Sequence, residues 1–209
     1  MAWLPFNMPL LFDPLEGQNW RFQAGTVPYT LVPLSISLRW QPFGICGSGF
    51  WRGTPDFSFG GLYTAITRGP ESYYGAAIIG ARYNFVQPNW RVVPYFEIRG
   101  GAGLTDAKQP EEVAHHQPPV GQGQDFTFTF LMSGGVQYNV SPRYSLSAGL
   151  AYMHMSNFYL SEPEYKNLGI NVYGPMFGMA VALAPIPSVR RTWHAFIRDL
   201  EGPSADAPN

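Results

Sequence analysis

The amino-acid sequence predicts an all-β fold: an eight-stranded, antiparallel, up-and-down transmembrane β-barrel with a short C-terminal helical tail. Three observations lead to this prediction. Charged residues make up only 13% of the 209 residues, whereas aromatic residues make up 16%. Several segments alternate between large apolar and small side chains, as the strands of membrane barrels do. Glycine, proline or arginine interrupts every apolar run before it reaches the roughly 18 residues that a membrane-spanning helix needs.

The clearest alternation lies in three consecutive segments of the C-terminal half. Phe126, Phe128 and Phe130 share one face of the first segment, and mostly small or polar residues fill the other face. The same design repeats in the next two, so the three strands are predicted at 125–138, 143–156 and 171–183. A soluble barrel would carry Lys and Glu on its exterior, so we expect the faces rich in Phe, Leu and Tyr to contact lipid.

Five further strands are predicted upstream with less regular patterns. They are placed at 20–26, 34–40, 57–66, 73–85 and 91–104, and prolines such as Pro33 and Pro42 blur the edges of the earlier ones. The connections after the fifth and seventh strands are long, and those after the fourth and sixth are short. Outer-membrane barrels alternate short periplasmic turns with longer extracellular loops, and the even strand number places both termini in the periplasm. Residues 41–56 depart from this rule, because they are too many for a tight turn.

The barrel is expected to span residues 1–185. In the remaining residues 186–209, Trp193, Ile197 and Leu200 have helical spacing, which predicts a short amphipathic helix that packs on the end of the barrel, followed by a disordered tail. The apolar residues 1–14 lack the basic region and the cleavage site of a complete signal peptide. A location in the outer membrane therefore assumes a signal peptide that is not visible in this chain.

Charge and cysteine content exclude several classes of partner. A formal net charge of -1, with Lys108 and Lys166 as the only lysines, argues against nucleic acid. The single Cys46 excludes an internal disulfide and a cysteine metal cluster. His115 and His116 lie in a polar loop, where solvated side chains are the expected state rather than metal ligands. The sequence requires no metal and no organic cofactor.

His154 and Ser156 are the candidate catalytic residues. They are two residues apart near the end of a predicted strand, so both side chains point to the same face. A serine hydroxyl becomes a good nucleophile when a neighbouring imidazole takes its proton. The alternation assigns this face to lipid, where a polar pair is costly unless it has a function. The pair alone occurs by chance in many β-proteins.

Residues 126–183 resemble the lipid A 3-O-deacylases of the outer membrane and the wider acyloxyacyl hydrolase-like group. The matching elements are the Phe-Thr-Phe strand followed by Gly134-Gly135-Val136-Gln137, the motif His154-x-Ser156-Asn157, and Asn167-x-Gly169-Ile170-Asn171 at the start of the last strand. The resemblance implies an eight-stranded barrel whose Ser-His-acid triad lies on the outer surface near the extracellular rim.

The resemblance also implies a role for each residue. Ser156 is the nucleophile, His154 is the base, and Asn157 helps to shape the oxyanion hole. The position that matches the acidic residue of the family is Asn171, whose carbonyl can accept a hydrogen bond from imidazole but carries no charge. Glu162 and Glu164 precede it and are expected to be solvated loop residues. The implied reaction is hydrolysis of an ester-linked 3-O-acyl chain of lipid A in lipopolysaccharide.

Two alternatives remain open on the sequence. The first is a noncatalytic outer-membrane barrel whose triad has degenerated, for which Asn171 is the support. The second is a soluble lipid-binding barrel with its apolar face inside. The sequence also leaves open which acyl chain is removed, whether phospholipids serve as substrates, and whether the barrel forms a homodimer.

Overall fold

A computed structural model of the chain describes residues 2–9, 11–12, 29–88, 90–107, 122–161 and 169–183. These residues contain nine strand segments and a short 3-10 turn, Gly49–Trp51. The strands are β1 (Ala2–Pro9), β2 (Leu11–Phe12), β3 (Thr30–Trp40), β4 (Gly53–Arg68), β5 (Tyr73–Phe85), β6 (Val92–Thr105), β7 (Phe126–Asn139), β8 (Tyr144–Ser156) and β9 (Ile170–Ala182). Within the described ranges, no helix is both long and apolar enough to cross a membrane.

The strands form a nearly closed antiparallel barrel. Among the seven long strands β3 to β9, each strand from β3 to β8 pairs with the next one along the chain. β1 and β2 lie between the two ends of this sheet and pair with both β3 and β9. The prediction of an all-β, antiparallel, up-and-down barrel is therefore confirmed.

The predicted count of eight strands is not confirmed. The first predicted strand, 20–26, lies outside the described residues, as do the C-terminal helix and tail at 186–209 and the domain boundary after residue 185. The gap between β3 and β9 is filled instead by segments of the apolar stretch 1–14, to which the sequence assigned no strand. Pro5 and Pro9 in that stretch cannot donate backbone hydrogen bonds, which hides a strand from pattern analysis.

The two ends of the barrel differ in their connections. Residues 69–72, 106–125 and 157–169 connect strands at one end, which we call the upper end. Residues 41–52, 86–91 and 140–143 connect strands at the opposite, lower end. Ala2 pairs with Trp40 at the lower end, where β9 also finishes. The upper end thus carries the two longest connections between the strands from β3 to β9.

The outward surface of the strands is apolar. Large hydrophobic side chains are exposed on each of the strands β3 to β9: Ile36, Leu38, Phe59, Ile79, Phe96, Ile98, Phe130, Leu146, Leu150 and Phe177. Exposed aromatic residues cluster near both ends, with Trp40, Trp51, Trp90, Tyr138 and Tyr144 below and Tyr63, Tyr73, Phe126 and Tyr173 above. An apolar band between two aromatic girdles is typical of a lipid-facing barrel. It contradicts the soluble alternative, which places the apolar face inside.

The described interior is filled by side chains of two kinds. An apolar cluster occupies the upper half and includes Leu31, Ile66, Ile78, Leu131, Met153, Met155, Ile170 and Val172. Charged residues are buried lower down. Arg39 Nε lies 3.4 Å from Asp56 Oδ2, and Arg99 Nη2 donates to Glu97 Oε2 at 2.7 Å. Buried charges of opposite sign compensate one another, and each of these two pairs joins a cation to a carboxylate in the interior.

Candidate functional site

A group of polar side chains lies on the outward face of β8, at the upper end of the barrel. Tyr152, His154 and Ser156 are partly exposed and alternate with the fully buried Met153 and Met155. Because successive side chains of a strand point to opposite faces, the first three face outward together. Both predicted members of the nucleophile–base pair therefore lie on the lipid-facing side of the barrel wall.

Strand register brings Asn171 beside His154. The two residues are direct partners in the antiparallel pair β8–β9. His154 Nδ1 lies 2.9 Å from Asn171 Oδ1, within hydrogen-bond distance. An amide oxygen only accepts, so this bond requires the proton to be on Nδ1. In that tautomer Nε2 carries the lone pair with which imidazole can accept a proton.

Tyr152 is a member of this group that the sequence analysis did not assign. Its hydroxyl donates to Asn171 Oδ1 at 2.6 Å, so one amide oxygen accepts from both Tyr152 and His154. The amide nitrogen of Asn171 donates to the carbonyl oxygen of Gly169 at 3.4 Å. Tyr152 precedes His154 by two residues, and this spacing alone predicts that the two side chains share a face of the strand. Its contact with Asn171, however, depends on the register between two strands.

Ser156 ends β8 and leads into a tight turn. Leu160 N–H donates to the carbonyl oxygen of Asn157 at 3.1 Å, and the two central residues, Phe158 and Tyr159, have φ values of 52° and 65°. Bulky residues rarely adopt positive φ, so this turn is held in a strained conformation. The turn directs the backbone N–H of Phe158 to Ser156 Oγ at 3.3 Å.

The side chain of Asn157 is not on the outward face with Ser156. Asn157 is fully buried, and its Nδ2 donates to Ser161 Oγ at 2.7 Å. The side chain therefore stabilises the loop from within. This position does not support direct donation from the Asn157 side chain to a developing oxyanion, and it leaves Asn157 an indirect part in shaping the site.

Gly169 lies against the imidazole of His154. A Cβ atom at position 169 would be 3.0 Å from His154 Cε1, closer than ordinary van der Waals contact. The absence of a side chain at Gly169 thus gives the imidazole its place beside Asn171. Glycine at this position was part of the sequence motif, but the reason for it is visible only in the packing.

Apolar residues surround the group on its outward side. Phe128 is the register partner of Ser156 on β7, and its ring contacts that of Phe158 with centroids 5.0 Å apart. Phe158 and Leu160 are 66% and 60% exposed. These side chains form an apolar surface beside the serine that an acyl chain could occupy. Glu162 and Glu164, and the histidines at 115 and 116, lie outside the described residues.

A second polar cluster at the upper end faces inward. Glu71 is buried and accepts hydrogen bonds from the Tyr29 hydroxyl at 2.8 Å and from the backbone N–H of Gln122 at 2.6 Å. Burial raises the pKa of the Glu71 carboxyl above its ordinary value, and these two hydrogen bonds oppose the rise. The cluster connects three segments of the chain and does not contact the outward group through any of these bonds.

The described residues contain no group of three or more His, Cys, Asp or Glu side chains arranged to hold a metal ion. The outward group instead places the alcohol of Ser156, the imidazole of His154 and the amide of Asn171 on one face of the barrel. Such a set can perform nucleophilic acyl transfer, because the amide orients the imidazole and the imidazole can accept the proton of the alcohol.

Comparisons with known proteins identify relatives of the chain and of its fold. The model of the family described as lipid A 3-O-deacylase (PagL) matches residues 35–180, a range that includes His154, Ser156, Asn157 and Asn171. Two solved structures share the fold. The crystal structure of the outer membrane enzyme PagL has a TM-score of 0.51 and 16% sequence identity, over 84% of this chain and 97% of that one. The crystal structure of Neisserial surface protein A (NspA) has a TM-score of 0.52 and 14% identity, over 86% of this chain and 96% of that one. No curated protein sequence matches the chain.

Proposed function

The chain belongs to the lipid A 3-O-deacylase (PagL) family, and on this basis we propose that it is a serine esterase that removes the 3-O-linked acyl chain from lipid A of lipopolysaccharide. Family membership and fold place the barrel in the outer membrane. The observation that carries the proposed mechanism is the contact of His154 Nδ1 with Asn171 Oδ1 on the same outward face as Ser156.

The proposed reaction begins with proton transfer from Ser156 Oγ to His154 Nε2 as Oγ attacks the ester carbonyl carbon. The tetrahedral intermediate collapses, the bond to the 3-oxygen of the sugar breaks, and that oxygen takes the proton from Nε2. Water then attacks the acyl-enzyme carbonyl carbon and gives a proton to the same nitrogen. As this second tetrahedral intermediate collapses, the bond to Ser156 Oγ breaks, Oγ takes the proton back from Nε2, and the fatty acid is released. Asn171 Oδ1 accepts from Nδ1–H of both the imidazole and the imidazolium, which leaves Nε2 to take up and return the proton.

The location of the group suits a substrate that stays in the membrane. Lipid A lies in the outer leaflet, and the outward face of the upper end lies at that depth if the long connections are extracellular. The partly exposed ring of Phe128 and the exposed ring of Phe158 lie beside Ser156 and provide an apolar surface for the acyl chain that is cleaved. The substrate would reach the serine sideways, from within the leaflet.

The neutral side chain of Asn171 supports a second candidate function, a noncatalytic outer-membrane barrel. An amide orients imidazole but supplies no charge to stabilise the imidazolium that forms during catalysis. Replacing Asn171 by Asp or Glu separates the two functions. A variant that gains hydrolysis identifies a slow enzyme, whereas wild-type and variant proteins that are both inactive favour the scaffold.

Mass spectrometry of lipid A after incubation with the detergent-folded protein tests the proposed function. We expect a mass loss of one hydroxyacyl chain, and fragmentation of the product should show that the 3 position has lost it. Ser156→Ala should abolish the loss. Ser72→Ala makes the same chemical change at an exposed serine of the upper end and should leave the activity unchanged. Intact lipid A with folded wild-type protein would contradict the enzymatic function.

A further inference from the structure

We propose that Tyr152 is a positioning residue: its hydroxyl fixes the amide of Asn171 with the oxygen toward His154, and so keeps the imidazole competent as a base. This inference rests on the proposed esterase function, because it concerns the same serine and histidine. It also extends that function, since it assigns a role to an outward tyrosine and explains how an amide can occupy the position of an acid.

The contacts of Asn171 show how its amide is oriented. Oδ1 lies 2.6 Å from the Tyr152 hydroxyl oxygen and 2.9 Å from His154 Nδ1. A separation of 2.6 Å is typical of an O–H···O bond and short for an N–H···O bond. The other end of the amide, Nδ2, is directed to the carbonyl oxygen of Gly169 at 3.4 Å. All three contacts agree on one orientation of the amide.

The orientation of this amide decides the tautomer of His154. If the amide rotated by 180°, its NH₂ group would face the imidazole, and Nδ1 would have to accept a hydrogen bond. The proton would then be on Nε2, and the ring could not accept the proton of Ser156. The rotated amide would also turn its oxygen toward the Gly169 carbonyl, which is another acceptor.

A carboxylate at position 171 would not need such control. Its two oxygens are equivalent and only accept, so either one selects the Nδ1–H tautomer. An amide has one accepting end and one donating end, so its neighbours must fix which end faces the imidazole. Tyr152, on the same outward face as His154, donates to the accepting end, and the Gly169 carbonyl oxygen accepts from the donating end. We therefore expect the importance of Tyr152 to depend on whether residue 171 is an amide or an acid.

The test is a double-mutant cycle between positions 152 and 171. Tyr152→Phe keeps the ring and removes the hydroxyl, and in the Asn171 protein it should lower kcat roughly tenfold with KM unchanged, as expected for one lost hydrogen bond. In Asn171→Asp the same change should lower kcat by less than about twofold. Tyr173→Phe removes the hydroxyl of the register partner of Tyr152 and should change neither constant.

A second readout is independent of substrate. In protein labelled with ¹⁵N-histidine and folded in detergent, the His154 signals, identified by their loss in His154→Gln, should show the Nδ1–H tautomer. Tyr152→Phe should add a population with the proton on Nε2, and Tyr173→Phe should not. Equal losses of kcat in both backgrounds, or a tautomer that ignores Tyr152, would overturn the inference. If wild-type protein leaves lipid A intact, the proposed function fails, and the tautomer measurement still decides the role of Tyr152.

Discussion

The polar residues that face into the barrel differ from those that face out of it. Inside, Glu97 is ion-paired with Arg99, and Arg39 with Asp56. Outside, the group formed by Tyr152, His154 and Asn171 is neutral in the Nδ1–H tautomer of His154 and is joined by hydrogen bonds through one amide oxygen. Charge is expensive at a lipid-facing surface and is tolerated in the interior when it is compensated. From this comparison we expect interior polarity to support the fold, and we expect the outward group to tolerate substitution without unfolding of the barrel.

Among the predictions, the substitution of His154 should have the most unequal effects, with a large loss of activity and almost no loss of stability. His154→Ala should reduce kcat by roughly 10³-fold or more, because it removes the proposed general base. It should leave the midpoint of urea unfolding in detergent nearly unchanged, since His154 lies outside the packed interior. A large loss of stability in this variant would contradict the separation between the two regions.

The opposite pattern is expected for the interior. Glu97→Gln leaves Arg99 buried without its ion pair and should lower the free energy of unfolding by about 3–5 kcal/mol. The double variant Glu97→Leu with Arg99→Met removes both charges and should recover most of that loss. Equilibrium urea unfolding in lipid vesicles measures both effects. A double variant as unstable as the single one would show that charge compensation is not the reason for the loss.

Restoring charge at the outward site sharpens the comparison. Asn171→Asp should raise kcat roughly tenfold or more, because a carboxylate stabilises the imidazolium better than an amide does. The measurement is the initial rate of acyl release, normalised to the folded fraction. An unchanged rate would mean that the amide already serves the reaction as well as an acid.

A smaller effect is expected at Gly169. Gly169→Ala places a methyl group 3.0 Å from His154 Cε1 and should displace the imidazole, lowering kcat several-fold. Gly75→Ala is the matched control, since a Cβ atom there meets nothing within 4 Å. Kinetics of both variants, with circular dichroism to verify folding, make the comparison. Equal rates in the two variants would argue that the imidazole tolerates the added methyl group.

The smallest effect concerns the inward Glu71. Burial raises the pKa of this carboxyl in the folded state, so the folded protein binds more protons than the unfolded chain near and above the ordinary carboxyl range. The contribution to stability is therefore fully present below the unfolded pKa and is lost as the pH rises through the folded pKa. The unfolding midpoint of the wild-type protein should therefore decrease slightly as the pH rises through this range. Glu71→Gln should remove this decrease. A slope unaffected by the substitution would assign the pH dependence to other groups.

Composition and alternation were sufficient to predict the barrel and the direction of its key side chains. Few charges, many aromatics and a period of two placed His154 and Ser156 on the lipid-facing side, because successive side chains of a strand alternate whatever the partner strand is. The spacing of these two residues and the motif around Asn171 also identified the family. These properties are local, so the sequence determined them by itself.

Tertiary structure decided the contacts between strands. Only the register of β8 and β9 shows that Asn171 lies opposite His154, that Tyr152 reaches the same amide oxygen, and that Gly169 makes room for the imidazole. The segments β1 and β2 likewise became visible only as partners of β3 and β9. Register depends on packing and hydrogen bonding between segments distant in the chain, and no local pattern in one segment encodes it.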